Sequence, residues 1–332
     1  MKSASFSLRL GSCLALIALA FVPSSIAADA AKPLLVEGTV ITLPDSAGKF
    51  DFLEIDPIHH RLLGAHEKDG TADFFDLNTR QLLGRMKLGT VVHIVPDAES
   101  GRYFVSAQGE QTVIALDAAT LKEVGLVRLD GELDALLVVP KHHAVYAAHD
   151  NGTHLWAIDT QTLAPTGEVV IPGAPEIMTY DPAADRIYLN IKNTDEVVVI
   201  DPATNQITSH WSTAPAKSPH GIALDAARHR LYVAGGNGMA VALDVKTGKV
   251  ISSVEIAQSV DQAAFDPNSN RLYCAGAEHL SVVQVSDDGL KLLGQVPTHT
   301  TARNVAVDHS NGDVWTTYTD GKSSYARSWK LP

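Results

Sequence analysis

Residues 180–207, YDPAADRIYLNIKNTDEVVVIDPATNQI, decide the fold. Asp181-Pro182-Ala183-Ala184-Asp185 is a turn, because proline fixes φ and aspartate bonds nearby backbone N–H groups. Arg186 to Ile191 then alternates, with Ile187, Leu189 and Ile191 on one side and Tyr188 and Asn190 on the other. That is the period of a half-buried strand. Asn193-Thr194-Asp195 turns the chain into the β-branched run Val197 to Ile200, and Asp201-Pro202-Ala203-Thr204-Asn205 turns it again.

Working outward, this frame occurs seven times. The place of Tyr188 is taken in order by Leu63, Phe104, Tyr146, Tyr188, Tyr232, Tyr273 and Trp315, at steps of 41, 42, 42, 44, 41 and 42 residues. A second marker, Asp-x-x-Thr after the third strand, keeps the same period at Asp76/Thr79, Asp117/Thr120, Asp159/Thr162, Asp201/Thr204 and Asp244/Thr247, with Ser286 in the sixth place. Periods near 40 with four strand-like runs each predict an all-β, seven-bladed β-propeller built of four-stranded antiparallel blades. The seventh unit has no fourth run, whereas residues 35–43, LVEGTVITL, precede the first unit without a partner. Joining them closes the last blade with the N-terminal strand and removes two open edges.

Lys2 and Arg9 precede an apolar run over residues 10–22 that leads to Ser25-Ile26-Ala27. This pattern predicts a signal peptide over residues 1–27 and a periplasmic or extracellular protein, with a single propeller domain over 28–332. The segment is too short for a membrane span, and nothing after it is long and apolar enough to be one. Leu10-Gly11-Ser12-Cys13 is a poor lipidation box, since the apolar run follows the cysteine instead of preceding it. Cleavage leaves 24 basic against 38 acidic residues. That balance disfavours nucleic acid as a partner. Cys274 is then the sole cysteine, so no internal disulfide forms; in the strand 271–275 it reads as a small buried hydrophobe.

DPAADRIYLNIKNTDEVVVIDPATNQI and SPHGIALDAARHRLYVAGGNGMAVALDVKTGKVISSVEI resemble the YVTN-type repeats of the YncE-like secreted seven-bladed propellers. The resemblance covers nearly the whole mature chain and implies a non-catalytic binding or scaffold protein. It also implies single-stranded DNA binding in some members, which the acidic balance here does not support. The match weakens in the third unit, where Val139 and Ala144 replace the turn aspartate and the arginine, and in the first, where Leu63 replaces the aromatic.

In a four-stranded meander, the loop into the first strand and the loop between the second and third open on one face. Around this channel mouth the repeat places Asp51, His93, Asp134, Glu176, His220, Asp261 and Arg303, one from each blade. Four carboxylates against one arginine should attract cations. His66, Glu67, His149, Asp150, Asn193, Asn237, Glu278 and Asp320 add polar groups from the second-to-third loops, while His59, His60, His142, His143, His229 and His309 fall on the opposite face. The ligands that suit such a mouth are a small molecule, a peptide, a protein or a divalent metal. The alternative is a propeller enzyme with its site at the same mouth, a lactonase-like hydrolase or a dehydrogenase-associated subunit. The chain carries no Gly-x-Ser-x-Gly elbow, His-Glu-x-x-His pair or phosphate-binding glycine loop, and no motif names a cofactor.

Overall fold

The alternating apolar runs fold as strands that pair in sequence order. The computed structural model describes residues 1, 2, 4, 5 and 32–332, so the expected signal peptide lies almost wholly outside the described residues. Seven four-stranded antiparallel sheets form the blades. The first holds Leu53–Asp56, Arg61–His66, Thr71–Asp76 and Gln81–Lys87, and blades two to six start at Val91, Leu133, Pro175, Pro219 and Gln262. Pro33–Pro332 is one compact unit. Among the described residues, no helix is long and apolar enough to cross a membrane.

The repeat marker sets the register. Leu63, Phe104, Tyr146, Tyr188, Tyr232, Tyr273 and Trp315 sit opposite Glu54, Val95, Leu137, Thr179, Ala223, Ala264 and Ala306 of their inner strands. None of the seven markers is more than 1% exposed. Burying each such side chain contributes about 1.5–3 kcal/mol, so the sequence period is the period of the core. Packing also crosses blade boundaries: Phe74 stacks on Tyr103 at 5.5 Å, and Tyr232 meets Phe265 at 5.2 Å.

The last blade combines Ala306–Asp308, Asp313–Thr319 and Ser324–Lys330 with Val36–Leu43. Val36 pairs with Lys330 and Leu43 with Ser324, so the N-terminal strand closes the ring as its outer edge. A bulge at Gly38 and Thr39 interrupts the ladder, and Ser328 Oγ accepts the stranded Thr39 N–H at 2.9 Å. A Cβ on Gly38 would lie 2.4 Å from that same oxygen, which explains the glycine. The inner strand of this blade is shorter than its sequence pattern suggests. Side chains do part of its work: Gln262 Oε1 accepts N–H bonds from both Leu53 and Val305, and Asn304 Oδ1 accepts from Thr317 N and Oγ1.

The far-face turns are held by aspartates. Asp181 Oδ1 accepts N–H bonds from Ala183 at 2.9 Å and Ala184 at 3.0 Å, and Asp56, Asp97, Asp225, Asp266 and Asp308 act alike in their own turns. Blade three has Val139 instead and turns through a 3-10 segment, Pro140–His142, that ends in a left-handed His143. In the repeated Asp-x-x-Thr motif, Asp76, Asp117, Asp159 and Asp244 each accept the N–H of the threonine three residues on.

Candidate functional site at the channel mouth

Inner strands whose registers match bring equivalent residues around one axis. A cavity of about 190 Å³ opens there, lined by Asp51, Val92, Asp134, Glu176, His220, Asp261 and Arg303, one residue from each blade. Lys49, Phe52, Glu67, Gln108 and Asp150 complete its wall. Six residues of the sequence-derived ring are thus neighbours in space. His93 is not among them, because the marker step of 41 residues carries Asp51 to Val92 and puts His93 one residue deeper.

His93 is a packing residue. Its ring is 3% exposed and stacks on Phe52 at 4.2 Å. Nδ1 accepts the Leu136 N–H at 2.9 Å, which leaves the proton on Nε2, facing Glu54 at 3.3 Å. One imidazole thereby ties blades one, two and three together, and both its nitrogens are engaged. His93 and His220 therefore do not converge on one ion. Among the described residues, no group of three or more His, Cys, Asp or Glu side chains is arranged to hold a metal.

Of the residues expected from the second-to-third loops, only Glu67 and Asp150 line the cavity. Asn193 and Asn237 accept backbone N–H groups of Ala174 and Lys217, and Asp320 accepts those of Lys322 and Ser323. His66 is fully buried between Asp73, 2.9 Å from Nδ1, and the Gly48 carbonyl, 2.8 Å from Nε2. His149 packs against Trp156 at 5.3 Å, and Glu278 takes a left-handed φ of 61°. Sequence reasoning missed Lys49, Gln108 and Lys192. The signal available for Lys49 was its place two residues before Asp51.

Several mouth charges are already matched. Lys49 pairs with Glu67 at 2.9 Å, Arg303 with Asp261 at 2.9 Å, and Lys192 with Glu176 at 2.5 Å. Gln108 donates to Asp150 at 3.0 Å. His220 Nδ1 donates to the Ser218 carbonyl at 2.7 Å, which leaves Nε2 turned to Glu176 at 3.8 Å. Asp51 and Asp134 differ: neither carboxyl has a hydrogen bond or ion pair among the described residues, and Asp134 is only 8% exposed.

Their protonation follows from that isolation. Burial, then the nearby Asp261, pushes Asp51 up to about 7 against the opposing pull of Lys49. Burial and the Glu176 charge lift Asp134 well above the carboxylate range. Burial also raises Glu176, although His220 and Lys192 work against it. Confined like charges of this kind have no local relief except a proton or a cation.

The opposite end of the channel is different in character. A cavity of about 440 Å³ there is walled mainly by inner-strand residues such as Leu53, Ile177, Ile222 and Phe265, with His60 and His309 at its rim. Four of the six far-face histidines have carboxylate or carbonyl partners: His59 with Asp56, His142 with Asp185, His143 with Glu99, and His309 with the Phe265 carbonyl. Cys274 is fully buried, and burial pushes its thiol up to about 12.

No family model matches the chain, and no curated protein matches it. Among solved structures it is similar to a chain from the "Crystal Structure of Mitotic Checkpoint Complex", with a TM-score of 0.77 at 13% identity, covering 96% of this chain and 99% of that one. At that identity the likeness establishes the seven-bladed propeller fold alone.

Proposed function

We propose that this chain is a secreted, non-catalytic binding propeller of the YncE-like type, periplasmic or extracellular, that presents its channel mouth to a positively charged ligand or protein partner. One observation carries the reading: carboxyl groups from separate blades converge on a single cavity, where Asp134, only 8% exposed, has no protein partner. A structural repeat has no need for such a group, because an unpaired buried acid costs stability. The structural neighbour comes from a protein complex by its title, which agrees with a scaffold role for the fold.

The test is native mass spectrometry on the protein isolated from its natural compartment. Parent and the far-face variant H142A/H143A should carry the same bound species, and the mouth variant D134N/E176Q should lose it. Loss from the far-face variant with retention by the mouth variant overturns the assignment. The enzyme alternative draws on the Lys192–Glu176–His220 group, whose raised carboxyl is suited to proton transfer. Ester or lactone turnover that disappears in E176Q would establish that alternative.

A further inference from the structure

We propose that the mouth captures a single alkylammonium group between Asp51 and Asp134, releasing protons as it binds. This rests on the mouth being the ligand site and names the chemistry of what enters it. Six lining residues carry carboxyl groups, whereas the only lining Lys and Arg are Lys49 and Arg303, both already paired. Asp51 and Asp134 are left over. Asp134 is 92% buried, lines the cavity and meets no protein donor, so its carboxyl is left open to the cavity. Aspartates this deeply buried are almost always paired with a protein group, which makes Asp134 informative.

The shape of the arrangement selects the cation. Asp51 enters from blade one and Asp134 from blade three, so the two acceptors are presented from different directions. An ammonium has three splayed donors on a flexible stem and can reach both, whereas a guanidinium prefers the planar fork of one carboxylate. A cavity of about 190 Å³ holds the charged head and a few methylenes. Phe52 and Val92 on the wall suit those methylenes. The same chemistry occurs in a free aliphatic amine and in a lysine side chain of a protein partner.

Charge balance makes the capture proton-linked. Asp51 is faced by Lys49 and Glu67 from its own blade, by Glu176 from blade four and by Asp261 from blade six, the last held by Arg303 of blade seven. Asp134 is faced by Glu176 and Lys192 of blade four, by Asp51, and by Asp150 of its own blade. With Asp51 ionising at about 7, the empty site holds a proton at mildly acidic pH, and the entering cation displaces it to solvent. Affinity therefore rises with pH, by about tenfold from pH 6 to pH 8 for one linked group.

The experiment is calorimetric titration of the mature protein with n-butylamine, its neutral isostere n-butanol, the peptide acetyl-Ala-Lys-Ala-amide, and MgCl₂ or CaCl₂. Butylamine or the peptide should bind at pH 8, butanol at least tenfold more weakly, with heats that depend on buffer ionisation enthalpy as proton release requires. D134N and D51N should each weaken amine binding at least tenfold, as removing one partner of a close charge pair does, while their melting curves show an intact fold. Peptide binding tighter than butylamine assigns the source to a protein partner; the reverse order assigns it to a free amine. Equal binding of butanol, or parent affinity in D134N, overturns the proposal. Binding of Mg²⁺ or Ca²⁺ without either amine also overturns it, yet leaves the mouth as the ligand site. If no probe binds and D134N/E176Q keeps its native adduct, both readings fall.

Discussion

The two ends of the propeller use the same side chain in opposite ways. At the far face, Asp181 starts a turn whose own N–H groups point back at it, and the carboxylate is consumed locally. Asp185 in that turn collects Lys141, Tyr180 and His142, which outweigh the push of burial and hold it down to about 2. At the mouth, Asp134 sits where an inner strand enters, and there its neighbours across the axis are other acids. An aspartate is structural when the local backbone supplies donors, and available to a ligand when closure of the ring surrounds it mainly with like charge.

The largest effect should come from removing what both ends depend on. Val36–Leu43 buries Ile41 and Leu43 and pairs the full length of the last blade. A chain starting at Pro44 loses a ladder and an edge, a cost comparable with the whole ~5–15 kcal/mol of a typical domain. It should aggregate or show no cooperative melt in scanning calorimetry, and a parent-like melt would disprove ring closure by this strand.

At the far face, Asp181→Ala removes a buried acceptor of two N–H bonds and should destabilise by about 1–3 kcal/mol in urea denaturation. Any ligand binding should survive.

The mouth should respond with the opposite sign. Asp51 ionises near pH 7 in the folded chain and near its ordinary value in the unfolded one, so the folded state holds a proton that the unfolded state has lost between about pH 4 and pH 7. Stability falls across that window. Asp51→Asn removes the Asp51 share of that fall, while Asp134 and Glu176 keep theirs: its stability should match the parent at pH 4 and exceed it at pH 8, by roughly 1–3 kcal/mol once solvent screening is allowed for. A variant less stable than the parent at pH 8 would show that Asp51 has a partner after all.

The smallest change is expected at Asp201→Ala. This turn is half-buried at most; Asp201 Oδ1 accepts one hydrogen bond, from Ala203 N–H at 2.9 Å, and Oδ2 lies 3.4 Å from the half-buried Arg186 guanidinium. About 0.5 kcal/mol, the low end for a lost cap, should appear as a small midpoint shift. An effect as large as that of Asp181 would mean burial does not separate the two turns.

By itself the sequence determined the blade count, the strand order and the closing strand, because a repeat of 41 to 44 residues and an orphan first strand are one-dimensional facts. It also determined the turn aspartates, whose partners lie two or three residues away. The mouth was legible only in outline. Six of its seven ring positions followed from equivalence between repeats, and in blade two the expected His93 stands one residue past the one at the axis. Register decided otherwise: the strand pairing puts Val92 at the axis and His93 between blades. Which acids are spoken for was invisible in the sequence. Lys49, Lys192 and Arg303 neutralise Glu67, Glu176 and Asp261, and in all three pairs the partners are at least 16 residues apart in the chain. Coulombic pairing depends on distance in space, and that distance exists only once seven separately encoded strands have closed into one ring.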